Sequence, residues 1–115
     1  MPSVDTASAI LSSLDALGVT HVLYCPGSRS APFAYALEAG SFGGDVRAVL
    51  DERGAGFAAV GLARTGVLPA IVVTSGTAVA ELAPAVLEAM WEAFTEALER
   101  LLGAEEEPWH AEDIV

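Results

Sequence analysis

The chain has 115 residues, which is enough for one domain and too few for two. Hydrophobic residues make up 53% of it and charged residues only 18%, and this composition excludes a chain that is disordered throughout. Its 16 acidic residues outnumber its five arginines, and the formal net charge of −11 argues against nucleic acid and anionic membranes as partners.

The longest stretch without a charge, 65–80, is interrupted by Gly66, Pro69 and Gly76. A membrane-spanning helix needs about 20 apolar residues, so we expect no membrane span. No basic segment precedes an apolar core at the N terminus, so we expect no secretory signal and a cytoplasmic location. The single cysteine, Cys25, can form no internal disulfide and offers too few ligands for a zinc site.

Helical and strand patterns alternate along the chain. Apolar residues recur at helical spacing over 4–17, with Ser3 as a candidate N-cap and Gly18 as a stop. Strand patterns then cover 21–25, 46–50 and 70–74, and helical patterns cover 31–39, 52–64 and 78–102. This order predicts an α/β domain of three layers, with a parallel sheet between helices on both faces. The third strand is β-branched and uncharged, which predicts burial on both of its faces.

The last helical pattern is long, and Pro84 inside it predicts a kink or an interruption. From Met90 onwards it carries an apolar stripe with Trp91, Phe94 and Leu98, which packs either on the chain's own core or on a second subunit. Residues 81–115 carry a net charge of −9, against −2 for residues 1–80. We expect one domain over 1–103, followed by an acidic tail over 104–115.

Ligands of parallel sheets bind beyond the carboxyl ends of the strands, and three segments of the sequence fall there. The first contains Ser28 and Arg29, which offer donors to a carboxylate or phosphate or are simply surface turn residues. The second contains Glu52, whose carboxylate at the start of a helix is either a cap or a catalytic group. The third, 74–77, is a generic anion-binding turn without the lysine of a Walker loop.

Three motifs follow one another along the chain. They are CPGSRSAP from Cys25, DERGAGF from Asp51 with GLA from Gly61, and TSGTAVA from Thr74 with PAVLEA from Pro84. In order and spacing they resemble the 2-succinyl-5-enolpyruvyl-6-hydroxy-3-cyclohexene-1-carboxylate synthases, thiamine-diphosphate enzymes of menaquinone biosynthesis. The resemblance covers residues 4–89 and implies a truncated thiamine-diphosphate-binding (pyrimidine) domain.

The resemblance implies a reaction that decarboxylates 2-oxoglutarate and adds the product to isochorismate, with thiamine diphosphate and Mg as cofactors. It assigns Glu52 to the catalytic and cofactor-binding carboxylate at N1′ of the aminopyrimidine, where a carboxyl group favours the imino tautomer that accepts the C2 proton. Cofactor binding is further implied for the turn that lines the pyrimidine pocket, and substrate binding for the turn that faces substrate carboxylates. The first turn is Ser75, Gly76 and Thr77, and the second is Ser28 and Arg29.

The chain departs from the family beyond Ala89, and 90–115 resemble no segment of it. It contains no asparagine and no Gly-Asp-Gly motif, with which the family holds magnesium, so we assign no metal ligand and expect no turnover by the chain alone. Family members build each site between two subunits, so we expect a homo-oligomer. Two alternatives stay open, namely a non-catalytic homo-oligomeric assembly module and the pyrimidine subunit of a two-chain thiamine-diphosphate decarboxylase.

Overall fold

The computed structural model of the chain describes residues 2–103, which form five helices and three strands. These are α1 (Pro2–Ala16), β1 (His21–Tyr24), α2 (Ala31–Glu38), β2 (Asp45–Ala48), α3 (Glu52–Arg64), β3 (Pro69–Val72), α4 (Thr77–Ala80) and α5 (Ala83–Leu102). The predicted alternation of helices and strands is confirmed. The predicted acidic tail, 104–115, lies outside the described residues.

The three strands form one parallel sheet in the order β2-β1-β3. Tyr24, at the end of β1, is aligned with Ala48 at the end of β2 and with Val72 at the end of β3. The carboxyl ends of all three strands therefore meet at one edge of the sheet, and this edge is where ligands of such sheets bind.

Helices cover both faces of this sheet, because side chains of the central strand alternate between two cores. Val22 belongs to the core that includes Leu11 of α1 and Ala36 of α2. Leu23 belongs to the second core, which includes Ala55 of α3. The predicted three-layer α/β architecture is confirmed. Within residues 2–103, no helix is long and apolar enough to cross a bilayer.

Two details of the sequence-based prediction are wrong. β3 is an edge strand, so three of its four residues are only half-buried, and the strand with two buried faces is β1. Ser3 does not cap α1, because the helix already begins at Pro2. Proline suits a first helical position, where its missing N–H would have no intrahelical partner.

Pro84 interrupts the last helical segment, as predicted. α4 ends at Ala80, and α5 begins at Ala83 with Pro84 in its first turn, where the fixed φ of proline is tolerated. α5 can therefore turn away from α4 and pack against α3, where Gly56 of α3 faces Ala85 of α5.

Candidate functional site

An open cleft of about 590 Å³ lies at the carboxyl edge of the sheet. Residues that follow β2 line one side of it, and residues that follow β3 line the other. They are Leu50, Asp51, Glu52, Arg53, Thr74, Ser75, Thr77, Ala78 and Glu81. Two of the three strand-end segments singled out from the sequence therefore share one cleft.

Glu52 is the first residue of α3 and is half-buried in this cleft. The cap of the helix is Asp51, whose extended backbone (φ −97°, ψ 117°) lets its carboxylate accept a hydrogen bond from the N–H of Arg53 at 2.9 Å. The interpretation of Glu52 as a helix cap is therefore wrong. Its carboxylate is a lining group of the cleft instead.

Arg53 bridges the two sides of the cleft. Its guanidinium lies 3.4 Å from the carboxylate of Asp51 and 3.4 Å from that of Glu81, which follows α4. The hydrogen bond to Asp51, followed by the two negative charges, raises the pKa of Arg53 above its ordinary value. The side-chain and backbone hydrogen bonds from Arg53 lower the pKa of Asp51 in turn. All three groups are exposed, so these ion pairs tie the two sides together only loosely.

The turn after β1 reaches the cleft through Thr74. The backbone N–H of Arg29 donates to Thr74 Oγ1 at 3.3 Å. Gly27 also lies against this threonine. The hydroxyl of the buried Ser30 lies 2.9 Å from the carbonyl oxygen of Cys25 and 3.1 Å from that of Gly27, which fixes the turn from within.

The predicted site residues meet at one edge of the sheet, but they do not all line the cleft. Glu52, Ser75 and Thr77 line it, and Gly76 forms the turn before α4 with a φ of 83° that favours glycine. The turn with Ser28 and Arg29 is exposed on the other side of Thr74 and lies outside the lining.

Sequence reasoning did not identify Arg53 and Glu81 as a pair across the cleft. No local pattern signals this contact, because it depends on how the chain turns between α4 and α5. The sequence offers one hint of the role of Arg53, because this residue directly follows the candidate carboxylate Glu52.

The polar groups of the cleft can form hydrogen bonds with a nitrogen heterocycle, but they do not fit a diphosphate. The carboxylate of Glu52 and the hydroxyls of Ser75 and Thr77 suit ring nitrogens and an amino group. A diphosphate needs cations, yet the arginine of the cleft is already held between two carboxylates. Within residues 2–103, no cluster of histidine, cysteine and acidic residues is suited to hold a metal ion.

Comparisons with known proteins identify the domain. Residues 4–95 match the family described as thiamine pyrophosphate enzyme, N-terminal TPP binding domain. The 2-succinyl-5-enolpyruvyl-6-hydroxy-3-cyclohexene-1-carboxylate synthases of Kineococcus radiotolerans and Rhodococcus erythropolis are 52% identical over 90 residues and 54% identical over 91 residues, and each alignment covers 76% of the chain. The synthase of Mycobacterium marinum is 50% identical over 91 residues.

The chain spans only 16 to 17% of the length of these curated relatives. The resemblance predicted from the three motifs is confirmed. The family match continues along α5, past the predicted end at Ala89, to residue 95. The family match of residues 4–95 covers four fifths of the 115-residue chain, and the fold is the one that this family implies. The chain therefore belongs to the thiamine pyrophosphate enzymes through their N-terminal TPP binding domain.

Proposed function

We propose that this domain forms the pyrimidine-binding side of a thiamine-diphosphate site in a synthase that decarboxylates 2-oxoglutarate and adds the product to isochorismate. The observation that carries the proposal is the placement of Glu52 opposite Ser75 and Thr77 in one cleft at the carboxyl edge of the sheet. The identity of 50% or more with synthases of menaquinone biosynthesis supports the choice of reaction.

Thiamine diphosphate, when bound, supplies the electron sink for the decarboxylation. The task of Glu52 is to hold a proton between its carboxylate and N1′ of the aminopyrimidine ring, which requires a group that can both accept and donate it. A glutamine would keep a hydrogen bond there but would transfer no proton. The hydroxyls of Ser75 and Thr77 orient the same ring from the opposite side of the cleft.

Substrate binding is assigned to Ser28 and Arg29. Both proposed substrates carry carboxylates, and a planar guanidinium binds a carboxylate through two parallel hydrogen bonds. In support of this assignment, the main chain of Arg29 donates to Thr74, a residue that lines the cleft, and the Arg29 side chain is exposed and free to bind a ligand.

We assign the diphosphate and the magnesium ion to protein outside residues 2–103, because the cleft itself is acidic. Asp51, Glu52 and Glu81 contribute three carboxylates to its lining, and they would repel a diphosphate. The proposal therefore includes a homo-oligomer in which protein from another subunit completes each site. It also includes that the 115-residue chain alone catalyses no turnover.

The test is a nuclear magnetic resonance titration of the ¹⁵N-labelled chain with thiamine diphosphate and, separately, with 4-amino-2-methylpyrimidine, which has no diphosphate. We expect both ligands to shift the amide signals of 51–54 and 74–78. Glu52→Gln should weaken binding of the pyrimidine about tenfold, as expected for the loss of one charge-assisted hydrogen bond of about 1.5 kcal/mol.

Glu38→Gln is the matched control, because it removes the same charge from the exposed end of α2. It should leave both titrations unchanged. Signals that shift elsewhere in the chain, or equal weakening by both variants, would refute the assignment of the cleft.

A specific observation also favours the second candidate function, a homo-oligomeric assembly module. This observation is an apolar stripe on α5 with Trp91, Phe94 and Leu98, which are 57%, 55% and 40% exposed and so do not pack on the core formed by residues 2–103. The two-chain decarboxylase remains a prediction from the sequence, and no contact within residues 2–103 favours it over the synthase.

A further inference from the structure

The side chain of Thr74 takes part in both the cleft and the turn after β1. It is half-buried and lines the cleft together with Ser75 and Thr77. On the side of the turn, its Oγ1 accepts a hydrogen bond from the backbone N–H of Arg29 at 3.3 Å, and Gly27 lies directly against it. One side chain therefore touches the proposed pyrimidine site and holds the main chain of the proposed substrate site.

Within the part of the chain that the structure describes, this is the only hydrogen bond between residues 26–30 and the lining of the cleft. Just before the turn, the N–H of Cys25 still donates to the carbonyl oxygen of Val72 at 2.8 Å and joins the two strand ends. The hydroxyl of Ser30 bonds only to groups of β1 and of the turn itself. A change at the Thr74 hydroxyl therefore reaches the turn through one identifiable contact.

The Thr74 hydroxyl can form a second hydrogen bond, as a donor. A threonine oxygen accepts hydrogen bonds, and its hydroxyl also donates one proton. The oxygen accepts from Arg29, whereas no acceptor for the proton lies among residues 2–103. Because the side chain lines the cleft, it can donate this proton to an unprotonated ring nitrogen of an aminopyrimidine. A hydroxyl that donates is a stronger acceptor, so such a ligand strengthens the hydrogen bond from Arg29.

We propose that Thr74 is a positioning residue that couples cofactor binding to substrate binding. A pyrimidine in the cleft accepts the Thr74 proton, and the strengthened bond to the N–H of Arg29 holds the turn in the conformation that binds a substrate carboxylate. Each ligand then raises the affinity for the other by the same factor, because coupling between two sites is reciprocal. The proposal rests on the proposed function and adds to it that the substrate binds best after the cofactor.

The test is a nuclear magnetic resonance titration of the ¹⁵N-labelled 115-residue chain with 2-oxoglutarate, once alone and once with saturating 4-amino-2-methylpyrimidine. Amide signals of 28–30 report on the turn, and those of 74–78 report on the cleft. In the wild type, we expect the pyrimidine to lower the dissociation constant of 2-oxoglutarate about three- to tenfold, the effect of gaining one hydrogen bond. The reverse titration should give the same factor.

Thr74→Val keeps the branched shape that lies against Gly27 but has no hydroxyl, so it should abolish the coupling. Thr74→Ser keeps the hydroxyl and should preserve it. Thr95→Val is the matched control, because it removes a hydroxyl from α5 that lies 2.9 Å from the carbonyl oxygen of Trp91, and it should leave the coupling and both affinities unchanged. A merely structural role of Thr74 would lower both affinities in Thr74→Val and leave the coupling factor as it is.

Coupling that persists in Thr74→Val, or that Thr74→Ser abolishes equally, would overturn the role of the hydroxyl. Two ligands that bind the wild type independently would also overturn it, as would 2-oxoglutarate that shifts no signal of 28–30 with the pyrimidine present. Circular dichroism checks that each variant keeps its helices.

The proposed function is judged separately, by whether the pyrimidine alone shifts the signals of 51–54 and 74–78. A pyrimidine that shifts these signals without changing the affinity for 2-oxoglutarate would uphold the assignment of the cleft and refute the coupling. A pyrimidine that shifts none of them would refute both.

Discussion

Gly27 and Thr74 lie closer together than a side chain at position 27 would allow. A Cβ at Gly27 would lie 2.5 Å from Thr74 Cβ and 2.8 Å from its Oγ1. The contact joins the turn after β1 to the turn after β3, and the N–H of Arg29 donates to the same Oγ1. Because glycine has no side chain, the proposed substrate-binding turn can lie this close to the cleft.

Gly27→Ala should lower the free energy of unfolding by about 1–3 kcal/mol, because the added Cβ forces the two turns apart. Urea denaturation measures this change. Thr74→Gly removes the atoms that the Cβ would strike, so the double variant should lose less than the sum of the two single variants. Additive losses would show that the clash is not relieved at Thr74.

Replacing each of two glycines of α3 with alanine should change the free energy of unfolding in opposite directions. A Cβ at Gly56 would lie 2.8 Å from Ala85 Cβ, whereas a Cβ at Gly61 has nothing within 4 Å. Gly61→Ala should raise the free energy of unfolding by about 0.5–1 kcal/mol through helix propensity. Gly56→Ala makes the same gain but pushes α5 away from α3, so it should lower this free energy by about 1–3 kcal/mol. Thermal unfolding of both variants checks the signs, and equal effects would contradict the close packing of α3 on α5.

The sequence permits prediction of the helices and strands because their signals are local. Hydrophobic spacing marks each segment, and Gly18 and Pro84 mark where segments end or break. Strand order is different, because it depends on contacts between distant segments. The uncharged segment of β3 therefore predicts burial on both faces, although the strand lies at the edge of the sheet and is only half-buried.

The same distinction applies to the candidate site. Glu52 and Ser75 were predictable because each follows a strand end in a parallel sheet, where ligands bind. The pair of Arg53 with Glu81 was not, since it requires the turn between α4 and α5 to bring Glu81 back to the start of α3. That Asp51 caps the helix in place of Glu52 also depends on a backbone conformation that the sequence leaves open.

Asp51→Ala should destabilise the fold, because it removes the acceptor for the N–H of Arg53 at the start of α3. Asp51→Ser keeps an acceptor and should recover most of the loss, whereas Arg53→Ala should have a smaller effect because its ion pairs are exposed. Urea denaturation at neutral pH ranks the three variants. If Arg53→Ala were the most harmful, the ion pairs across the cleft would outweigh the cap.

The pH dependence of the same comparison follows from the pKa of Asp51, which the hydrogen bonds from Arg53 hold below its ordinary value of 3.8. The stabilisation by an ionised Asp51 is therefore complete above that value and is lost as the pH falls through the lower pKa of the folded state. The stability gap between wild type and Asp51→Ala should stay constant near neutral pH and narrow in acid. A gap that widens in acid would contradict this assignment.

The pKa of the Cys25 thiol depends on the charge of Glu52 and can be used to detect it. Its side chain is fully buried and forms no disulfide within the described residues. Burial raises the pKa of the Cys25 thiol above its ordinary value of 9.0, and the negative charges of Glu52 and Asp51 raise it further. A raised pKa means that the folded chain holds this proton more tightly than the unfolded chain. The corresponding stability is present below pH 9.0 and is lost as the pH rises through the higher pKa of the folded state.

Cys25→Ala should therefore remove part of the loss of stability that the wild type shows in alkali, measured by urea denaturation as the pH is raised. In the folded wild type, the thiol should react with Ellman's reagent at least about a hundredfold more slowly than in urea, because reaction requires local opening of the core. Glu52→Gln removes one of the two charges that raise the pKa of Cys25, so this pKa should fall towards 9.0 in the folded chain and the loss of stability in alkali should become smaller. The control Glu38→Gln, at the exposed end of α2, should leave the alkaline loss unchanged. If the alkaline loss became smaller by the same amount in both variants, net charge would explain the effect, and Glu52 would not act on Cys25 as an ionised neighbour in the cleft.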